Sequence, residues 1–74
     1  MISNKTKLLL SKSLNCDVKS VSEGLNIRTT PQWDSLAHLR LVCGIEEELG
    51  RSLSAMEVLN IESAIDVESL IVRE

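Results

Sequence analysis

The sequence predicts a small all-α domain, and three observations carry that expectation. The chain has 74 residues and a mass of 8.2 kDa, enough for one domain with one modest core. Its apolar residues are mostly aliphatic, led by leucine, against three glycines and one proline. Helix start and stop signals recur along it, with aliphatic stretches between them.

The first helix is expected over about Ser3 to Leu14. Leu8, Leu9, Leu10 and Leu14 are its apolar positions, among Lys5, Lys7 and Lys12. A long connection follows, from about Asn15 to Trp33, holding Gly24, Pro31 and several Ser, Thr and Asn residues. Connections of that length inside a compact domain are unusual and often functional. Val18, Val21, Leu25 and Ile27 are its expected anchors.

The second helix is expected to begin at Asp34 or Ser35 and to stop at Gly50. Asp34 suits the N-cap, where a carboxylate accepts a free backbone N–H. Gly50 suits the left-handed position after the last turn. On a wheel of 100° per residue, Leu39, Val42 and Leu49 form a stripe, flanked by Leu41 and Ile45. These five residues are the expected core face. Leu36 and Cys43 fall on the other flank, near Arg40 and Glu47, where they are candidates for meeting a partner.

The third segment opens with Ser54-Ala55-Met56-Glu57, a capping box, and ends near Asn60. Leu53 and Val58 have the spacing of a hydrophobic staple. The fourth opens with a second box, Ser63-Ala64-Ile65-Asp66, and is expected to reach the C-terminus. Ala64, Val67 and Ile71 lie along one face of it. No internal repeat or low-complexity segment interrupts the chain, and residues 1–74 read as a single domain.

Composition argues against several functions. The net charge is −3, the pI about 5.1, and Trp33 is the only aromatic residue apart from the imidazole of His38. Binding to nucleic acid is therefore not expected, for want of positive charge and stacking platforms. Two cysteines and one histidine cannot close a four-ligand zinc site. No apolar run approaches a membrane span or a signal sequence, so a cytoplasmic, monomeric protein with reduced thiols is expected. Charge divides along the chain, from +3 over residues 1–28 to −6 over residues 34–74. Cys43 reads as packing, Cys16 as incidental, His38 as a surface residue, and Glu46-Glu47-Glu48 as a solvated face that also touches a partner. No nucleophile, base and orienting group can be assembled, so no enzyme is expected.

The first turn of the second helix holds the chemistry. Ser35 projects from a helix N-terminus, where free N–H groups and the dipole favour an anion such as a phosphate ester. Asp34 beside it suits a divalent cation during phosphoryl transfer. Capping alone also explains an Asp-Ser pair at this position.

Trp33-Asp34-Ser35-Leu36, followed by Leu39, Leu41-Val42 and Ile45-Glu46-Glu47-Glu48-Leu49-Gly50, resembles the acyl carrier protein family. The resemblance runs from about Leu8 to Val72. It implies a small four-helix bundle with a long loop between helices 1 and 2 and a short third helix. It implies that Ser35 carries 4′-phosphopantetheine, transferred from coenzyme A by a magnesium-dependent phosphopantetheinyl transferase. Asp34 would assist the metal in that complex. The arm would bear acyl groups as thioesters and present them to activating enzymes, transferases and synthases, with Leu36, Arg40, Cys43 and Glu47 on the partner side. Primary fatty-acid carriers have Gly and a small residue before Asp-Ser-Leu and acidic residues after it. Gln32-Trp33, Ala37 and Arg40 stand there instead, which looks more like discrete carriers of polyketide, aminoacyl or sugar-modifying pathways. An aminoacyl or peptidyl carrier would use the same Ser35 arm. An unmodified helical interaction module would share only the fold.

Overall fold

A computed structural model describes residues 2–73, the backbone alone at Arg73. Four α-helices occur among them: α1 at Asn4–Leu14, α2 at Ser35–Leu49, α3 at Ala55–Asn60 and α4 at Ala64–Arg73. The described residues are all-α, with one isolated bridge and no strand. The expected continuation of α4 to Glu74 lies outside them. None of the described helices is long and apolar enough to cross a membrane.

Each helix starts and stops for local reasons. Ser3 caps α1 through the Thr6 amide, and Asn15, at φ 54°, ends it in the left-handed region. The Cys16 amide then closes back onto the Ser11 carbonyl at 3.0 Å. Gly50, at φ 70°, ends α2 in the same way, with the Gly50 and Arg51 amides both returning to the Glu46 carbonyl. The capping box of α3 is complete. That of α4 is half formed. Ser63 Oγ accepts from the Asp66 amide, but the shorter Asp66 carboxylate takes the Glu62 amide rather than that of Ser63.

Helix α1 packs against α2 and α4, and α2 against α4. The core between them centres on Leu10, Leu14, Leu41, Ile45, Ile61, Ala64 and Val67. The α1–α2 approach is close because Gly44 faces Leu9; a Cβ at Gly44 would lie 2.9 Å from Leu9 Cδ2. Glu68 ties α4 to the start of α1, accepting from the Ser3 amide at 2.9 Å and from the Ser3 and Thr6 hydroxyls. The Ser3 amide, and then the Thr6 hydroxyl, hold the Glu68 carboxyl below its ordinary value.

The stretch between α1 and α2 is pinned at several points. It contains a 3₁₀ turn at Val18–Ser20, capped by Asp17. Val21 is buried and Leu25 and Ile27 pack on the core as expected, but Val18 is exposed because the 3₁₀ turn directs it outward. The Ile27 amide donates to the Glu62 carbonyl at 2.8 Å, and the Ala64 amide to the Leu25 carbonyl at 2.9 Å. Residues 25–27 are thereby clamped to the α3–α4 joint. Thr30-Pro31-Gln32-Trp33 closes a β-turn through the Trp33 amide and the Thr30 carbonyl, with proline at its favoured second position. Trp33 is then buried in the core, one residue before the α2 cap.

The core face of α2 is met in part. Leu41, Val42 and Ile45 are buried and Leu49 packs on the core as expected, whereas Leu39 is 62% exposed and Ala37 is buried. The true face is rotated by about a quarter turn from the expected stripe. Apolar residues surround most of this helix, so its pattern has no single centre. The small side chain of Ala37 and the bare backbone at Gly44 mark the close contacts that the wheel ignored. Leu8 of α1 is also half exposed, because α1 turns Leu10 and Leu14 inward.

Candidate functional site

Asp34 is extended (φ −96°, ψ −173°) and caps α2 as expected. Its Oδ1 accepts from the Ala37 amide at 2.9 Å, and its carbonyl from the His38 amide at 2.9 Å. Ser35 is therefore the first helical residue. It is exposed, and its hydroxyl has no hydrogen-bond partner among the described residues. The buried Trp33 and the capped Asp34 fix the backbone on which that hydroxyl stands.

A cleft of about 730 Å³ opens beside Ser35. Ile27 and Trp33 of the connection, His38 and Leu39 of α2, and Val58, Leu59 and Ile61 around the end of α3 give it an apolar lining. Asp34, Ser35 and Glu62 supply polar groups. The helix start thus presents a free hydroxyl, a carboxylate with one oxygen engaged in capping, and an adjoining apolar recess.

His38 is not the surface residue expected from the sequence. It is half buried and uses both ring nitrogens. The Trp33 indole N–H donates to Nδ1 at 3.0 Å, and Nε2 lies 3.0 Å from the Val58 carbonyl oxygen. An indole N–H can only donate and a carbonyl can only accept. In this arrangement Nδ1 therefore accepts and Nε2 donates. The Trp33 and His38 rings lie 6.2 Å apart at 29°. His38 falls on the true buried side of α2, so a wheel centred on Ala37 and Leu41 would have found it.

The expected partner residues share one outer face. Leu36 is 56% exposed, and Leu39, Arg40, Cys43 and Glu47 are exposed with it. Cys43 is a free thiol on this face, which corrects its reading as packing. Toward α1 the face descends into a groove of about 410 Å³ floored by Leu9 and Gly44, with Lys12, Arg40 and Glu47 among its lining residues. The three glutamates act separately. Glu46 accepts from the Leu53 amide at 2.8 Å, Glu48 pairs with Lys5 at 2.8 Å, and only Glu47 is on the outer face without a partner among the described residues.

Helix α3, which carries the far wall of the cleft, contains no buried residue. Polar bonds hold it at its start: Arg51 grips both Glu57 carboxylate oxygens at 3.0–3.1 Å, and the Ser54 amide donates to Glu57. The Arg51 guanidinium, then the Ser54 amide, hold the Glu57 carboxyl down to about 2. His38 is the bond at its far end.

No protein-family model matches the chain, and no curated protein matches it.

Proposed function

We propose that this chain is an acyl carrier protein, with Ser35 as the attachment point of 4′-phosphopantetheine. The observation that carries the reading is the setting of Ser35. An unpartnered, exposed hydroxyl stands on the first residue of a capped helix, next to a carboxylate and above an apolar cleft. The four-helix order, with a long connection before α2 and a short α3, fits the bundle that the resemblance implies.

The residues present suit the group. The α2 N-terminus favours a phosphodiester on Ser35. Asp34 leaves one carboxylate oxygen outside its capping bond, available to a magnesium ion in the transferase complex. When attached, the arm supplies a thiol that carries acyl groups as thioesters. The chain's own part is to hold the root of the arm, to offer the cleft to the cargo, and to be read by partners. Tethering replaces free diffusion of the intermediate with a high effective concentration at each enzyme. Leu36, Leu39, Arg40, Cys43 and Glu47 form the surface on which the transferase, the acyl-activating enzyme and downstream transferases or synthases would dock.

Incubation with coenzyme A, magnesium and a broad-specificity phosphopantetheinyl transferase tests this. The expected result is a single phosphopantetheine mass gain that Ser35→Ala abolishes. Loading with acyl-activating and amino-acid-activating enzymes then separates acyl from aminoacyl cargo.

A further inference from the structure

One side-chain arrangement near Ser35 plays no part in the carrier reading. His38 joins three segments near Ser35: the connection through Trp33, α2 through its own backbone, and α3 through Val58. We propose that His38 is a positioning residue, a latch that holds the α3 wall of the cleft in register with the Ser35 end of α2.

Trp33 is 3% exposed, and its indole N–H needs an acceptor when buried. His38 Nδ1 is that acceptor. The Val58 carbonyl lies in the last turn of α3, where carbonyls have few intrahelical donors. Among the described residues it otherwise receives the Ile61 amide, at 3.4 Å. Val58 is the apolar residue of α3 that packs on the core, and it is only partly buried, so polar bonds at the two ends of α3 add to what keeps it in place. A neutral imidazole has one donor and one acceptor, and both are engaged here. Two cleft-lining residues, Val58 and Leu59, follow α3 if that end moves, while Ile61 stays in the core. The latch therefore governs how closely the cleft covers whatever is attached at Ser35. This role as cover for a cargo rests on the carrier reading; the hydrogen bonds themselves do not.

Two variants divide the latch. His38→Asn can place an amide oxygen near the position of Nδ1 and keep the acceptor for Trp33. His38→Gln can place an amide nitrogen near Nε2 and keep the donor for Val58. His38→Ala removes both. The first measurements use the unmodified full chain: hydrogen exchange of the Trp33 indole N–H, and of the α3 backbone amides, by nuclear magnetic resonance. His38→Ala should speed both, by about three- to tenfold, the worth of one ordinary hydrogen bond at each end. His38→Gln should speed mainly the indole and His38→Asn mainly α3. Far-UV circular dichroism checks that each variant folds. Unchanged exchange in His38→Ala, or equal acceleration at both ends in all three variants, overturns the latch.

A second measurement tests the cover. With an octanoyl thioester loaded on the arm, His38→Ala and His38→Asn should hydrolyse faster than wild type by a similar factor, and His38→Gln should not. Equal hydrolysis in all four proteins overturns the covering role. Failure of wild-type Ser35 to accept the arm is a different result: it overturns the carrier reading, and with it the covering role, and is visible by mass before any latch variant is made.

Discussion

Gly44 and Arg40 sit four residues apart on α2 and serve different ends. Gly44 lets α1 approach, and its substitution sets two effects against each other. Alanine is favoured over glycine inside a helix by about 1 kcal/mol. Its methyl would meet Leu9 Cδ2 at 2.9 Å, the tip of a flexible side chain that can turn at a cost of about 0.5–1.5 kcal/mol. Gly44→Ala should therefore change stability by less than about 1 kcal/mol, whereas Gly44→Val should destabilise by about 1–3 kcal/mol. Urea midpoints of the two variants check this. Arg40 is exposed and unpaired among the described residues, so the fold does not depend on its charge, and on the carrier proposal it belongs to the face that partners read. Arg40→Glu should leave helicity intact while lowering the transfer rate with the cognate partner by about three- to tenfold, chiefly through association. Unchanged kinetics at low salt would show that this face is not read. The residues at the Ser35 site were legible to different degrees. Asp34 and Ser35 follow capping grammar, which is local and therefore visible in sequence. The His38 bonds were not visible. One partner is a buried indole five residues away and the other a backbone carbonyl twenty residues on, and neither leaves a periodic signal.

Helix boundaries were the most readable elements, because caps depend on neighbours three or four residues apart. The starts at Ser3, Asp34 and Ser54, and the stops at Asn15 and Gly50, all obey them. The face of α2 is legible except for its centre, where Leu39 is exposed and Ala37 buried, because orientation depends on which neighbours come close, and the wheel contains no neighbours. Helix α3 is the element most exposed to solution conditions. Its capping box and its grip by Arg51 both need the Glu57 carboxylate ionised. Glu57 is held at about 2 against an ordinary value of 4.5. A lowered value means that the unfolded segment takes up a proton first as pH falls. The contribution is complete above about 4.5 and is lost as pH descends to about 2. Protection factors in α3, taken against the intrinsic exchange rate at each pH, should fall across that window while those of α1 and α2 change less. Glu57→Gln should show lower α3 protection at neutral pH and a flatter dependence. An α3 whose protection factors stay constant throughout would contradict the role given to this carboxylate.

The whole molecule is built around one helix end. The aliphatic core joins α1, α2 and α4, and the connection before α2 is clamped to the α3–α4 joint at Ile27 and Ala64. Trp33 then fills the core directly behind Asp34 and Ser35. Composition and helix signals made the all-α class readable. They left unread the clamps of Leu25 and Ile27 on Ala64 and Glu62 beside the cleft, and the Glu68 bonds that fasten α4 to Ser3 and Thr6, because all of these join residues far apart in the chain. On the carrier proposal, this arrangement holds Ser35 for a covalent arm. Intact mass after incubation with coenzyme A, magnesium and a broad-specificity phosphopantetheinyl transferase decides it. One phosphopantetheine addition to the wild-type chain, and none to Ser35→Ala, is the expected result. No addition to the folded wild type, or an addition that persists in Ser35→Ala, would contradict it.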